Sequence, residues 1–429
     1  MKCKSITIQG LFSTFDYKLS WNDESEEIML LTGPNGYGKT TILKILYYLK
    51  EGQWYYFYKL PFREITIEFD NNSMVLIREE NVLEQLDRQS DDVITPTRSI
   101  RFQWINSTNN EVSSQFVFSD RDAKKVEQSY PRRSIVRIEH DDERITLQEI
   151  LDYIEQNEHI YDFLKEKQGY DAFNMFIEAL NVFYIPANRL FRFDDEEKEL
   201  SVKSISKQLK NRLRRQNYRY LNRVSEARSH VFENLLKGAA GYSRADYERI
   251  VSEYKERILK LHEWGLIPFK EFIPYQEGKG AIFYVYLNEI IDSLSQYEDL
   301  YRKLELFASL LRRKNFVNKR IEYSPTRGII VTSLSGKPID IDCLSSGEQN
   351  EIIMLYNFTF QLSQNMILLI DEPENSLHVE WQSVFYEELS EICKLNTIQA
   401  IVATHSPQII GERWESCYDL YEQIESQNG

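Results

Sequence analysis

Apolar and polar positions alternate from the start of the chain. Ile6-Thr7-Ile8 and Phe15-Asp16-Tyr17-Lys18-Leu19 each present one apolar face, and both predict strands. Ile28-Met29-Leu30-Leu31 is apolar throughout, as a short strand buried on both faces would be. A glycine-rich turn at 33–38 follows, and then the period lengthens. Ile42, Ile45, Leu46 and Leu49 fall on one face of a helix. Alternation returns at Glu64–Phe69 and at Met74-Val75-Leu76-Ile77. Residues 88–135 are polar and predict strands broken by loops, and 146–180 predict mostly helix. Val182-Phe183-Tyr184-Ile185 predicts a strand that Pro186 stops.

Residues 196–317 predict a helical insertion. Leu221, Val224, Arg228, Val231 and Leu235 step by three and four, as a helix-pair seam does. Gly238 and Gly241 break that pattern, and Ser243 can cap a second helix carrying Tyr247, Ile250, Tyr254, Ile258 and Leu261. The expectation is an α/β head with a helical hairpin inserted in it. Residues 1–195 and 318–429 supply the two parts of the head.

Composition narrows the class. Apolar content is 42% and charged content 28%, ordinary for a globular chain. The longest apolar runs are strand-length, such as Met366-Ile367-Leu368-Leu369-Ile370, well short of the roughly 20 residues of a membrane span. No membrane partner is expected. Cys3, Cys343, Cys393 and Cys417 are scattered without Cys-x-x-Cys spacing, as reduced cytoplasmic thiols are. A net charge of −15 argues against a general nucleic-acid coat. One stretch, Lys203 to Arg228, reverses that sign. It is rich in Lys and Arg, has Glu226 as its acid, and interleaves Tyr218 and Tyr220. It reads either as a solvated helix face partly neutralised by Asp194-Asp195-Glu196-Glu197, or as a docking surface for DNA or an acidic protein.

Two segments carry nucleotide chemistry. Gly33-Pro34-Asn35-Gly36-Tyr37-Gly38-Lys39-Thr40 fits G-x-x-x-x-G-K-[ST] between a buried strand and a helix, and these residues with Thr41 are the candidate nucleotide contacts. Glycines let the backbone wrap phosphate oxygens, while N–H groups and the helix N-terminus favour negative charge. Lys39 would reach the β- and γ-phosphates of ATP, and the Thr40 hydroxyl would ligate Mg²⁺. Met366–Ile370 ends in Asp371-Glu372, two acids at the carboxyl end of a buried strand, where open α/β sheets bind ligands. Asp371 would hold Mg²⁺, and Glu372 would polarise the attacking water.

Two more segments complete the picture. Leu344-Ser345-Ser346-Gly347-Glu348-Gln349 opens a helix with a capping box, Ser345 to Glu348, and can also present that N-terminus to an anion. Thr404-His405-Ser406 ends the buried strand Ala400–Ala403, which places His405 to sense a γ-phosphate. Asn375-Ser376-Leu377-His378 lies just beyond the acids, within reach of a neighbouring subunit.

The set GPNGYGKTT, LSSGEQ, ILLIDEPE, SLH and ATHSP, in that order, resembles the ABC-type ATPases of the RecF, SMC and OLD lineage. The resemblance implies that ATP is enclosed between the phosphate loop of one copy and Ser345, Ser346 and Gly347 of another. It implies Glu372 as catalytic base and His405 as switch. Ser346 and Glu348 stand where transporter-type ATPases carry Gly and Gln, as on the SMC side of the family. No Q-loop glutamine is evident; Asn188 or Arg189 falls in that region.

OLD proteins continue into a Toprim nuclease, and this chain reaches Gly429 too soon after Pro407 for one. A stand-alone head of this kind resembles the ATPase subunits of anti-phage systems, PARIS first and Septu second. That resemblance implies a separate Toprim- or HNH-type effector and a phage protein as trigger. The alternatives are a RecF-like ATPase that clamps DNA, and a nucleotide-gated scaffold.

Overall fold

The computed structural model describes residues 1–21, 27–82, 97–106, 108–130, 146–187, 202–236, 241–268, 271–314, 316, 318–375, 377, 379–414 and 417–428. The chain forms two compact units: Met1–Leu190 with Ser363–Gly429, and Phe191–Leu362.

The N-terminal run holds β1 (Cys3–Leu11), β2 (Phe15–Ser20), β3 (Ile28–Thr32), α1 (Lys39–Lys50), α2 (Trp54–Lys59), β4 (Glu64–Phe69), β5 (Ser73–Val82), β6 (Thr97–Asn106) and β7 (Glu111–Ser119). Then come α3 (Asp120–Ser129), α4 (Leu147–Glu155), a 3-10 segment (Glu158–Glu166), α5 (Tyr170–Glu178) and β8 (Val182–Ile185). The second unit holds α6 (Val202–Leu236), α7 (Arg244–Glu263), α8 (Gly280–Ser295), α9 (Glu298–Arg313), β9 (Lys319–Ser324), β10 (Gly328–Ser333), β11 (Pro338–Ile339) and α10 (Ser346–Tyr356). The first unit resumes with β12 (Ile367–Asp371), α11 (Val379–Asn396), β13 (Gln399–Ala403), α12 (Pro407–Ile410), β14 (Cys417–Asp419) and α13 (Leu420–Asn428).

Two sheets build the first unit. One is antiparallel, in the order β2-β1-β4-β5-β6-β7. The other runs β14-β3-β13-β12-β8 with every pair parallel. Both follow from the pattern of side chains. β4 alternates buried and half-buried residues, as a one-faced antiparallel strand does, while β3, β12 and β13 are buried at every position. Helix α1 buries the predicted Ile42, Ile45, Leu46 and Leu49, with Leu43 beside them. Its core continues through α2, an aromatic run that folds as helix. Trp54 of α2 is fully buried, with edge-to-face contacts to Phe102, Phe116, Tyr170 and Phe173.

Among the described residues, the insertion extends beyond a hairpin to four helices, α6 to α9. α6 packs chiefly along α8, and α10 packs on α6 and α9. Of the predicted seam, Leu221 is 54% exposed and Val224 is half-buried. Ile205, Leu209, Leu213 and Tyr220 are buried instead. Leu221 sits about 100° around the helix from Tyr220, which turns it off the packed face. The side chains of Arg228, Val231 and Leu235 lie outside the described residues, as do Asp194–Glu197. Among the described residues no helix is long and apolar enough to cross a membrane.

Replacing Trp54 with Ala removes the ring that these four aromatics enclose. The expected loss is about 3–5 kcal/mol of unfolding free energy, read from the denaturant midpoint at unchanged slope.

Candidate functional site

The parallel sheet sets the site. Leu31 of β3, Ala403 of β13 and Asp371 of β12 stand side by side in register. The chain leaves each strand at its carboxyl end, and these three exits carry the phosphate loop, the histidine and the acidic pair. The Thr404 N–H donates to Leu31 O at 3.1 Å, and the Glu372 N–H donates to Ala403 O at 2.8 Å, so the three exits are tied directly.

The phosphate loop is shaped by glycine. Gly36 and Gly38 both have φ of 89°, in the left-handed region, and Gly38 is the N-cap of α1. A Cβ at Gly38 would lie 3.0 Å from Leu11, whereas one at Gly36 would meet nothing within 4 Å. Gly33 and Tyr37 are half-buried, Pro34, Asn35 and Gly36 are exposed, and Thr41 is half-buried in the first turn of α1. Tyr37 is braced by the Tyr17 hydroxyl, which donates to its carbonyl at 2.7 Å, and by the rings of Phe15 and Tyr421.

Lys39 is 6% exposed. Its ammonium donates to the carbonyls of Gly33 at 2.8 Å and Pro34 at 3.2 Å. Burial pushes its pKa below the ordinary lysine value, against the pull of Glu372, Asp371, Glu374 and Asp419. One residue on, the Thr40 hydroxyl donates to Asp371 Oδ1 at 3.0 Å, and the Tyr184 hydroxyl of β8 donates to Asp371 Oδ2 at 3.2 Å. Burial raises the Asp371 carboxyl above its usual range, and these two bonds oppose the rise.

Glu372 has φ of 45°, a left-handed conformation that costs a non-glycine residue about 1–3 kcal/mol. Its carboxylate accepts from Asn375 Nδ2 at 2.7 Å. His405 is exposed, and its backbone N–H donates to Glu374 Oε1 at 2.6 Å. The predicted set Gly33–Thr41, Asp371, Glu372 and His405 therefore converges on one end of one sheet.

The predicted Ser345, Ser346, Gly347 and Glu348 belong to the second unit. Ser345 caps α10 and accepts from the Glu348 N–H at 3.3 Å, while Glu348 accepts the Ser345 N–H at 2.8 Å, closing the capping box. Lys319 holds the far oxygen of Glu348 at 2.6 Å. Ser345, Ser346 and Gly347 are exposed. Asn188, Arg189, Ser376 and His378 lie outside the described residues.

Tyr184, Glu374 and Asp419 were not singled out from sequence. Tyr184 and Glu374 did lie in segments already picked out, the strand at Val182–Ile185 and the DEPE run, while Asp419 did not. The oxygen-only pair of Thr40 and Asp371 suits Mg²⁺, a hard cation that takes few protein ligands and keeps waters and phosphate oxygens. Gly36 leaves open space for a phosphate.

A buried strand, a glycine loop, a helix N-terminus and an acid on a neighbouring parallel strand define a nucleotide-binding α/β domain. The chain belongs to the AAA ATPase domain family (AAA_15), whose family model matches residues 1–410. No curated protein matches it. Among solved structures it is similar to an Smc head domain with an extended coiled coil bound to the C-terminal domain of ScpA, derived from Pyrococcus furiosus. That likeness is at 13% identity over 99% of this chain and 98% of that one, with a TM-score of 0.34. It is similar also to an Smc head bound to the C-winged helix domain of ScpA, at 13% identity over 96% and 91%, with a TM-score of 0.34.

The raised Asp371 pKa fixes the direction of a pH effect. The unfolded carboxyl ionises first, so stability falls as pH rises from the ordinary aspartate value through the raised folded one. Asp371→Asn lacks that carboxyl. Its melting temperature at neutral pH should exceed that of the parent, and the difference should vanish below the ordinary aspartate pKa. Thermal melts across pH 3–8 measure it.

Proposed function

We propose that this chain binds ATP with Mg²⁺ and hydrolyses it as one ABC-type head of a homo-oligomer. One observation carries the reading. The hydroxyl that follows the loop lysine lies 3.0 Å from an acid 331 residues along the chain. A hydroxyl and a carboxylate so placed, at the mouth of a glycine-rich loop, are the oxygen donors an ATP-bound Mg²⁺ needs.

Gly33 to Thr41 wrap the phosphates. Lys39 exchanges its two loop carbonyls for phosphate oxygens, so the buried cation is already in place when the nucleotide arrives. Thr40 and Asp371 hold Mg²⁺, which neutralises phosphate charge when bound. Glu372 accepts a proton from the attacking water, and His405 meets the γ-phosphate. Ser345, Ser346, Gly347 and Glu348 of a second copy close the site, a role supported by the exposure of that helix N-terminus.

The motif resemblance extends the reading to defence. The head restrains a separate Toprim- or HNH-type effector, which a phage protein releases. Co-purification with the products of neighbouring genes, followed by mass measurement, tests this. A DNA-clamping head is the second reading. Arg214, Arg215 and Arg219 of α6 are exposed and favour a polyanion, while Lys203 pairs with Asp342 and Arg223 with Asp292 at 3.0 Å.

Glu372→Gln should bind ATP with affinity near that of the parent and hydrolyse it about 10²–10⁴-fold more slowly. Normal turnover in that variant would remove Glu372 as the base. Ser346→Arg should leave ATP binding by the isolated chain intact and abolish concentration-dependent hydrolysis. Turnover by a monomer at full rate would remove the composite site.

A further inference from the structure

Glu374 has no role in the scheme above, yet its carboxylate is bonded across the site. Oε2 accepts from the Thr404 hydroxyl at 2.8 Å, and Oε1 accepts from the His405 backbone N–H at 2.6 Å. Glu374 follows β12, whereas Thr404 and His405 follow β13. The side chain therefore spans the exits of two adjacent parallel strands.

The ladder explains why a side chain is needed there. Backbone bonding at the end of β13 stops with the Thr404 N–H on Leu31 O, and at the end of β12 with the Glu372 N–H on Ala403 O. The next N–H, that of His405, finds its acceptor in Glu374. Gln382 of α11 braces the same junction. Its Nε2 donates to Leu377 O at 3.1 Å, and its Oε1 accepts from the Ser406 hydroxyl at 2.6 Å. Thr404 Oγ1 also accepts the Ser406 N–H at 3.0 Å.

We infer that Glu374 is a positioning residue: its carboxylate fixes the main chain at His405 and so sets where the imidazole stands relative to Glu372. This rests on the ATP-hydrolysis reading above. A bond from an N–H to a carboxylate is charge-assisted and short, which suits it to hold a turn that regular pairing has left. A small misplacement at such a loop is costly, because the groups it carries must meet the substrate in one geometry.

The experiment uses the full chain as Glu374→Ala and Glu374→Gln. It reads three things: amide hydrogen exchange over residues 403–407 without nucleotide, affinity for a fluorescent ATP analogue, and kcat. Glu374→Ala should exchange faster at His405 and lose about 10–100-fold in kcat, with ATP affinity within about threefold of the parent. Glu374→Gln keeps an acceptor for the His405 N–H and can donate its amide to Thr404 Oγ1, so it should retain protection and most of kcat. Unchanged exchange or unchanged kcat in Glu374→Ala would overturn the inference. So would a Gln variant as damaged as Ala, since an acceptor kept in place would then fail to hold the His405 N–H. An affinity loss as large as the kcat loss would leave Glu374 a merely structural tie, which also overturns it. A parent chain that binds no ATP would sink the underlying reading, while the exchange result, taken without nucleotide, decides the clamp separately.

Discussion

The site depends on one constraint, the parallel pairing of β3, β13 and β12 in a single register. Leu31, Ala403 and Asp371 lie abreast, and each strand hands its chain to a loop at the same end of the sheet. A slip of one residue in β12 would turn Asp371 to the opposite face and take the carboxylate from Thr40. Burial on both faces makes that slip expensive, because β3, β12 and β13 have no solvent-facing position to trade. The register is thus secured by the core, and the chemistry inherits its geometry from packing.

That security is partly spent at the strand ends. Lys39 and Asp371 are buried ionisable groups shifted toward their neutral forms, and Glu372 is held in a left-handed conformation. Each is unfavourable in the isolated fold. Their clustering at one end of one sheet is the pattern expected where stability is given up for a ligand, because opposite charge brought by a bound group would relieve the burial of Lys39. The internal bonds of Lys39 to Gly33 and Pro34, and of Thr40 to Asp371, keep the cost tolerable without a ligand.

How much of this was legible in the residues follows from which forces act locally. β4 and β8 were readable because alternation and a following proline are local signals, and α1 because its apolar face repeats every turn. The phosphate loop was readable because only glycine tolerates φ of 89° at Gly36 and Gly38. α2 was not, since Trp54–Lys59 is a run of strand-favouring aromatics that tertiary packing makes helical. The partner of α6 was hidden for a similar reason. A periodic face says that something packs there, but the choice of α8 is made by the whole unit. Tyr184 meets Asp371 only because β8 lies beside β12, and Glu374 meets His405 only because β12 lies beside β13.

At the N-terminus of α10 a structural device occupies the residues that the proposed function assigns to a second copy's nucleotide. The capping box uses the Ser345 hydroxyl and the Glu348 carboxylate to satisfy the N–H groups of Glu348 and Ser345. Helix geometry leaves the N–H groups of Ser346 and Gly347 without an intrahelical acceptor, and both residues are exposed. A carboxylate at that position would ordinarily repel an incoming anion. Here Lys319 holds Glu348 at 2.6 Å, so the cap keeps its hydrogen bonds while its charge is countered. Capping alone explains Ser345 and Glu348. Under the function proposed above, the added cation and the small, exposed residues between them leave this N-terminus open to an anionic ligand held by a second copy.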